Sequence, residues 1–209
     1  MRSAAHQDFL SGARGGKAES ILSAAKRCFL AAGFGAVSMD AIAREAGVSK
    51  ATVYAHFISK EELFGAVVAR ESERHFFAFS ALELDPRDAA ASLETLAGRF
   101  LDLVLSPEVI AVNRIVIGEA TRFPVLGEVF WQAGPARVRA QIEAFLRRAA
   151  AAGSLRIADP RIAAEQFAAL ARGEIHLRHL LRLDPALDTA ATAEAARCAA
   201  ATFLRAFAP

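Results

Sequence analysis

Apolar positions recur along the chain at helical intervals, and no run alternates apolar and polar residues as a half-buried strand would. The pattern predicts an all-α fold. A first helix fits Lys17 to about Ala32, with Leu22, Ala25 and Phe29 on one stripe and Gly33 or Gly35 free to take the left-handed conformation that ends it. Ser38 is placed to cap a second helix running to about Ala46, where Asp40 in the first turn suits the helix dipole and Gly47 supplies the break. Ser49 caps a third, very short helix to about Phe57, and Ser59 with Glu62 forms a capping box for a long fourth. Pro86, Pro107, Pro124, Pro160 and Pro185 then punctuate the rest, because proline suits the first turn of a helix and not its interior. The resulting helices lie near 88–105, 107–121, 124–152, 160–182 and 188–207, and no repeat suggests a solenoid.

Composition narrows the class. With 54% hydrophobic residues among 209 and a formal net charge of +2, the chain can bury a core and is too apolar for disorder. The longest stretch without a charged side chain, Cys28 to Met39, is far below the ~20 residues of a membrane helix. The first residues lack the apolar block of a signal peptide, so a polar tail over 1–16 and a cytoplasmic location are expected. Cys28 and Cys198 fit no metal or redox spacing. Charge is uneven: up to residue 60 there are eight Lys and Arg against four Asp and Glu, and all four lysines, Lys17, Lys26, Lys50 and Lys60, lie there. A basic amino-terminal part beside a slightly acidic body suits a polyanion partner for the first part, or is simply a solvated face.

The segment from Ser38 to Phe57 sharpens this. Two short helices across a tight glycine turn make a helix-turn-helix: Ala43 allows close crossing, Gly47 turns the chain, and Ile42, Val48, Val53 and Phe57 supply the inner face. What remains outward on the second helix is Lys50, Thr52, Tyr54 and His56, groups suited to a major groove and its flanking phosphates. Lys60, beside the exposed N–H groups of the next helix, reads as a phosphate grip. His56 is open to a second reading, as a packed or capping histidine.

The stretches S-M-D-A-I-A-R-E-A-G-V-S, K-A-T-V-Y-A-H-F and S-K-E-E-L-F make residues 17–64 resemble the amino-terminal domain of the TetR family of bacterial transcriptional regulators. The resemblance implies DNA contact for Ser38, Ser49, Lys50, Ala51, Thr52, Tyr54, His56 and Lys60, with base reading by Lys50, Ala51 and Thr52 and backbone contact by Tyr54, His56 and Lys60. Residues 65–209 resemble the AefR-like and AcrR-like branch through V-I-G-E-A-T-R-F-P-V-L-G-E-V-F-W-Q-A-G-P and G-S-L-R-I-A-D-P-R-I-A-A-E-Q-F. That implies a larger helical ligand-binding and dimerisation domain, and a repressor released from a palindromic operator by a small hydrophobic effector. Phe100, Val104, Ile117, Phe123, Phe130, Trp131 and Phe167 are candidates to line its cavity, with Asn113, Arg114 and His176 as polar groups; each is equally a core residue by type.

The last two helices carry Ala163, Ala164, Phe167, Ala168 and Ala171, then Ala195, Cys198, Ala199, Thr202 and Phe203. Small side chains permit close helix approach, and the family pairs these helices with those of a twofold mate; packing within one subunit is the alternative. An enzyme is not expected. The chain has no Walker loop, G-x-G-x-x-G, G-x-S-x-G or Glu-x-x-His pair, and His176 with His179 supplies too few ligands for a metal site. Neither cofactor nor metal is expected.

Overall fold

A computed structural model of the protein describes residues 13–80, 83–184, 186 and 188–209. Most of the expected tail, residues 1–12, and Pro185 lie outside them. The described residues form helices α1 Ala13–Ala36, α2 Met39–Ala46, α3 Lys50–His56, α4 Lys60–Ser80, α5 Ala89–Val104, α6 Pro107–Glu119, α7 Pro124–Ala133, α8 Pro135–Ala151, α9 Pro160–Leu180 and α10 Thr189–Phe207, without a strand among them. Two compact units result: residues up to Arg70 with Ile115–Phe130, and Glu71–Arg114 with Trp131–Pro209. The sequence suggested one cut at residue 65, whereas the units interleave.

The caps follow local chemistry. Ser38 Oγ accepts the Ala41 N–H at 3.1 Å, and Ser49 Oγ accepts that of Thr52 at 3.1 Å. Gly47 is left-handed at φ 66°, ψ 31°, and its N–H closes α2 on Ala43 O and Arg44 O. Ser59 Oγ accepts the Glu62 N–H, but the Glu62 carboxylate reaches back to the Ile58 N–H at 2.7 Å, one residue before the expected partner. In α1, Gly33 does break the regular helix, at φ 78°, ψ 169°, a conformation open to glycine.

The first unit is centred on aromatic rings. Phe29, Phe34 and Phe64 are buried with centroids 5.4–5.6 Å apart, and Phe123 meets Phe34 edge-on at 5.0 Å. Ile42, Val53 and Phe57 are buried, as their inward assignment required, and Val48 is half-buried. In the second unit the core joins α5, α8, α9 and α10 through Leu93, Leu96, Leu101, Phe145, Phe167 and Phe203. The predicted helix over 124–152 is two helices. Gly134 is non-helical at φ −129°, ψ −80°, and Pro135, lacking an N–H, opens α8 rather than sitting inside a longer helix.

Candidate nucleic-acid interface

Val53 and Phe57 turn one side of α3 inward, and Lys50, Ala51, Tyr54 and Ala55 lie exposed on the other. Tyr54 keeps 45% of its surface in solvent, which leaves its ring and hydroxyl free for a partner. Thr52 and His56 are half-buried rather than fully outward. The Thr52 hydroxyl lies 2.8 Å from Ser49 Oγ, and the His56 ring stands 6.4 Å from that of Phe57. Ser38 and Ser49 are exposed, although both hydroxyls already cap helices. Seven of the eight expected contact residues therefore cluster around the amino-terminal ends of α2 and α3 and along α3.

Lys60 stands apart from that expectation. Its ammonium turns back onto α1, donating to Phe34 O and Val37 O at 2.8 Å each and lying 4.3 Å from the Phe34 ring centroid. Burial pushes its pKa down from the ordinary lysine value, against the opposing pull of Glu61 and Glu119. The carbonyls left open where α1 breaks engage the charge, which gives Lys60 a helix-capping role beside the phosphate contact expected from the sequence. Two other cations of this unit are also engaged. Lys50 Nζ lies 2.8 Å from Asp40 Oδ1, and Arg27 Nε lies 2.8 Å from Glu45 Oε1. The Asp40 carboxylate, through its hydrogen bond and its charge, raises the pKa of Lys50.

Sequence reasoning missed the partners from α6. Glu119 Oε1 accepts the Gly35 N–H at 2.9 Å, and a Cβ on Gly33 or Gly35 would come within 3.2 Å of the Glu119 carboxylate. Arg122 stacks over Phe123 at 5.2 Å. No local signal could have joined residues 84 positions apart.

The ten proposed pocket residues are dispersed. Phe100 and Phe167 are packed in the second core, Phe167 edge-on to Phe203 at 5.2 Å, and Val104 packs against that core. Asn113 spends its amide on Val109 O, while Arg114 donates to His179 O and Leu180 O, closing the carboxy-terminal end of α9. Trp131 lies partly exposed beneath Arg139, with the guanidinium 5.3 Å from the ring. Ile117, 65% exposed, and the half-buried Phe123 and Phe130 belong to the first unit. His176 is half-buried, and burial followed by the Arg172 charge lowers its pKa. A neighbouring residue is more notable: His179 is 8% exposed, its Nδ1 lies 2.9 Å from Ile175 O, and its Nε2 is buried without a partner. A small open cavity of about 160 Å³ is lined by Gly98, Asp102, Thr189, Thr192 and Ala193, none of them among the ten.

The small-residue faces of the last two helices pack within the subunit, the alternative that the sequence left open. Ala163, Ala164, Phe167, Ala171, Ala199 and Phe203 are buried within the subunit's own core, with Ala168 and Ala195 packed against it; Cys198 and Thr202 point outward. Large apolar side chains stay exposed on α9 at Ile162 and Leu170 and, beyond the non-helical Gly173 (φ 45°, ψ −151°), at Leu177, with Leu181 at its carboxy-terminal cap. Among the described residues no helix is long and apolar enough to cross a membrane, and no group of His, Cys, Asp and Glu could hold a metal ion.

Two family models match the chain: bacterial regulatory proteins of the tetR family over residues 21–67, and the carboxy-terminal domain of AefR-like transcriptional repressors over 91–209. Among solved structures, the flavonoid-responsive regulator FrrA is 37% identical, with a TM-score of 0.79 over 93% of this chain and 98% of that one. A TetR-family regulator from Mesorhizobium loti is 25% identical, with a TM-score of 0.80 over 95% and 100%. The transcriptional regulator UidR of Escherichia coli K12 is 44% identical over 54 residues, 26% of this chain. That match spans only 28% of UidR's own length. These relatives are transcriptional regulators and not enzymes.

Proposed function

The chain belongs to the TetR family of transcriptional regulators, with an AefR-like carboxy-terminal domain, and from that premise we propose that it is a homodimeric repressor freed from a pseudo-palindromic operator by a small aromatic effector. The observation that carries the reading is the exposed edge of α3, where Lys50, Ala51 and Tyr54 stand clear of the core beside two capped helix starts. Bases would be read by Lys50, Ala51 and Thr52. Ser38, Ser49, Tyr54 and His56 would hold the backbone, and Lys60 would act indirectly by bracing α1.

Exposed apolar side chains along α9 and at its cap support pairing of two subunits, since Ile162, Leu170, Leu177 and Leu181 lie 42–61% exposed. Two symmetric reading heads suit half-sites one helical turn apart, about 34–36 Å. The effector class draws on FrrA, whose name marks it as flavonoid-responsive and which matches nearly the whole chain. Release requires that the effector and DNA weaken each other's binding by the same factor.

Incubation with sheared DNA of the source genome at moderate salt, followed by recovery and sequencing of bound fragments, tests the reading. A shared pseudo-palindrome is expected, and a panel of flavonoids is then screened for release. Binding without a shared sequence would remove the specific-regulator reading; an operator complex indifferent to every flavonoid would remove the effector assignment alone.

A further inference from the structure

We propose that Asp40 and Lys50 act together as the reader of a G·C base pair in the major groove. The inference rests on the proposed docking of α3 and on nothing about the effector. Lys50 opens α3 and Asp40 lies in the first turn of α2, so the turn at Gly47 brings one charge of each sign to the same exposed edge. The Lys50 ammonium sits 2.8 Å from Asp40 Oδ1 and 3.1 Å from Oδ2, and 5.9 Å from the centroid of the exposed Tyr54 ring. Both side chains keep more than half their surface in solvent, 60% for Lys50 and 57% for Asp40, so neither is there to fill a core.

A lone cation at this edge can pass to a neighbouring phosphate as readily as to a base. A carboxylate beside it changes the outcome, because a phosphate that captures the ammonium leaves Asp40 unpaired against a polyanion. A base edge that satisfies both charges avoids that conflict. Guanine offers two acceptors, O6 and N7, and its cytosine partner offers the N4 amino donor directly beside them; adenine also sets a donor, N6, beside N7, but gives the ammonium one acceptor where guanine gives two. The pair on the protein is its complement: an ammonium with N–H groups for O6 and N7, adjoining a carboxylate that accepts from N4. Asp40 thus does more than favour the helix dipole. It withholds Lys50 from the backbone and is itself a base contact.

Selection from a library of randomised duplexes, run in parallel with wild type, D40A, K50A and D40E, provides the test. Wild type is expected to enrich G·C at one position of each half-site, with roughly a tenfold preference over A·T. D40A and K50A should both lose it, and D40E, which keeps the charge, should retain part of it. On a 30-bp duplex of arbitrary sequence, D40A should bind a few-fold more tightly than wild type. Its salt dependence should steepen by about 0.9 in log–log slope, as Lys50 passes to a phosphate. The D40A/K50A double variant should lose that gain.

Persistence of the G·C preference in D40A overturns the proposal. So does a D40A gain on arbitrary DNA that survives removal of Lys50, which would be a bulk charge effect. If wild type enriches no sequence at all, the docking of α3 fails together with this inference. Thermal melting of each variant guards against misfolding, and Asp40→Asn, isosteric and uncharged, repeats the D40A comparison if that variant melts early.

Discussion

Replacing Lys60 by methionine separates the two roles a lysine at this position could have. The side chain keeps its length while losing its charge, so Phe34 O and Val37 O each lose a donor at 2.8 Å and the Phe34 ring loses the cation 4.3 Å above it. A hydrogen bond to a charged group contributes about 1.5–3 kcal/mol and a partly exposed cation–π contact about 0.5–1 kcal/mol. Against these stands the burial that lowers the Lys60 pKa, which methionine relieves, and the two carbonyls, whose bonds to Lys60 are only part-buried, recover some solvent contact. A net destabilisation of about 2 kcal/mol is expected, lowering Tm by about 4–8 °C for a chain of this size. Circular dichroism melts measure that effect. Binding to an arbitrary duplex across a salt series measures the alternative, because a lost phosphate contact flattens the log–log slope by about 0.9 while leaving Tm in place. An unchanged Tm with a flatter slope would refute the bracing role assigned to Lys60.

Glu119→Ala should destabilise the protein by about 1–2 kcal/mol in urea denaturation, since the Gly35 N–H loses its charged acceptor; a change below about 0.5 kcal/mol would show that solvent replaces the carboxylate without cost. His179→Phe should shift Tm by less than about 5 °C, because removal of the buried, unpaired Nε2 offsets loss of the Nδ1 contact with Ile175 O; a larger fall would mean that Nε2 has a partner in solution. Leu177→Glu places a charge among the exposed apolar side chains of α9 and should shift sedimentation from dimer to monomer without altering the melt of the isolated subunit; retention of the dimer would move the interface elsewhere.

Much of this was legible in the residue pattern because it is local. Ser38, Ser49 and Gly47 act on backbone groups within a few positions of themselves, so cap chemistry determined where α2 and α3 begin and where the chain turns. The periodic Ile42, Val53 and Phe57 likewise marked the inner face, and by subtraction the exposed edge of α3. Pro135 carried equally local information about the break after Gly134, but a helix pattern continuing across 124–152 hid it.

Charge pairing and helix packing depend on groups distant in sequence. Composition marked the first 60 residues as basic, yet a charge count says nothing about pairing, and Lys50, Arg27 and Lys60 prove engaged by Asp40, Glu45 and the carbonyls of Phe34 and Val37. Alanine content on α9 and α10 signalled close helix packing without saying against what. Their alanines meet α5, α8 and each other within one subunit, and the large apolar side chains left open on α9 are Ile162, Leu170 and Leu177. One helix has two usable faces, and only the packed fold selects which of them is covered. Periodicity and caps are properties of a segment and its own backbone, so α2, α3, the turn between them and the outward side of α3 could be read from the residues alone. Charge pairing and the choice of buried face are properties of neighbours brought together by folding, and there the tertiary structure decided.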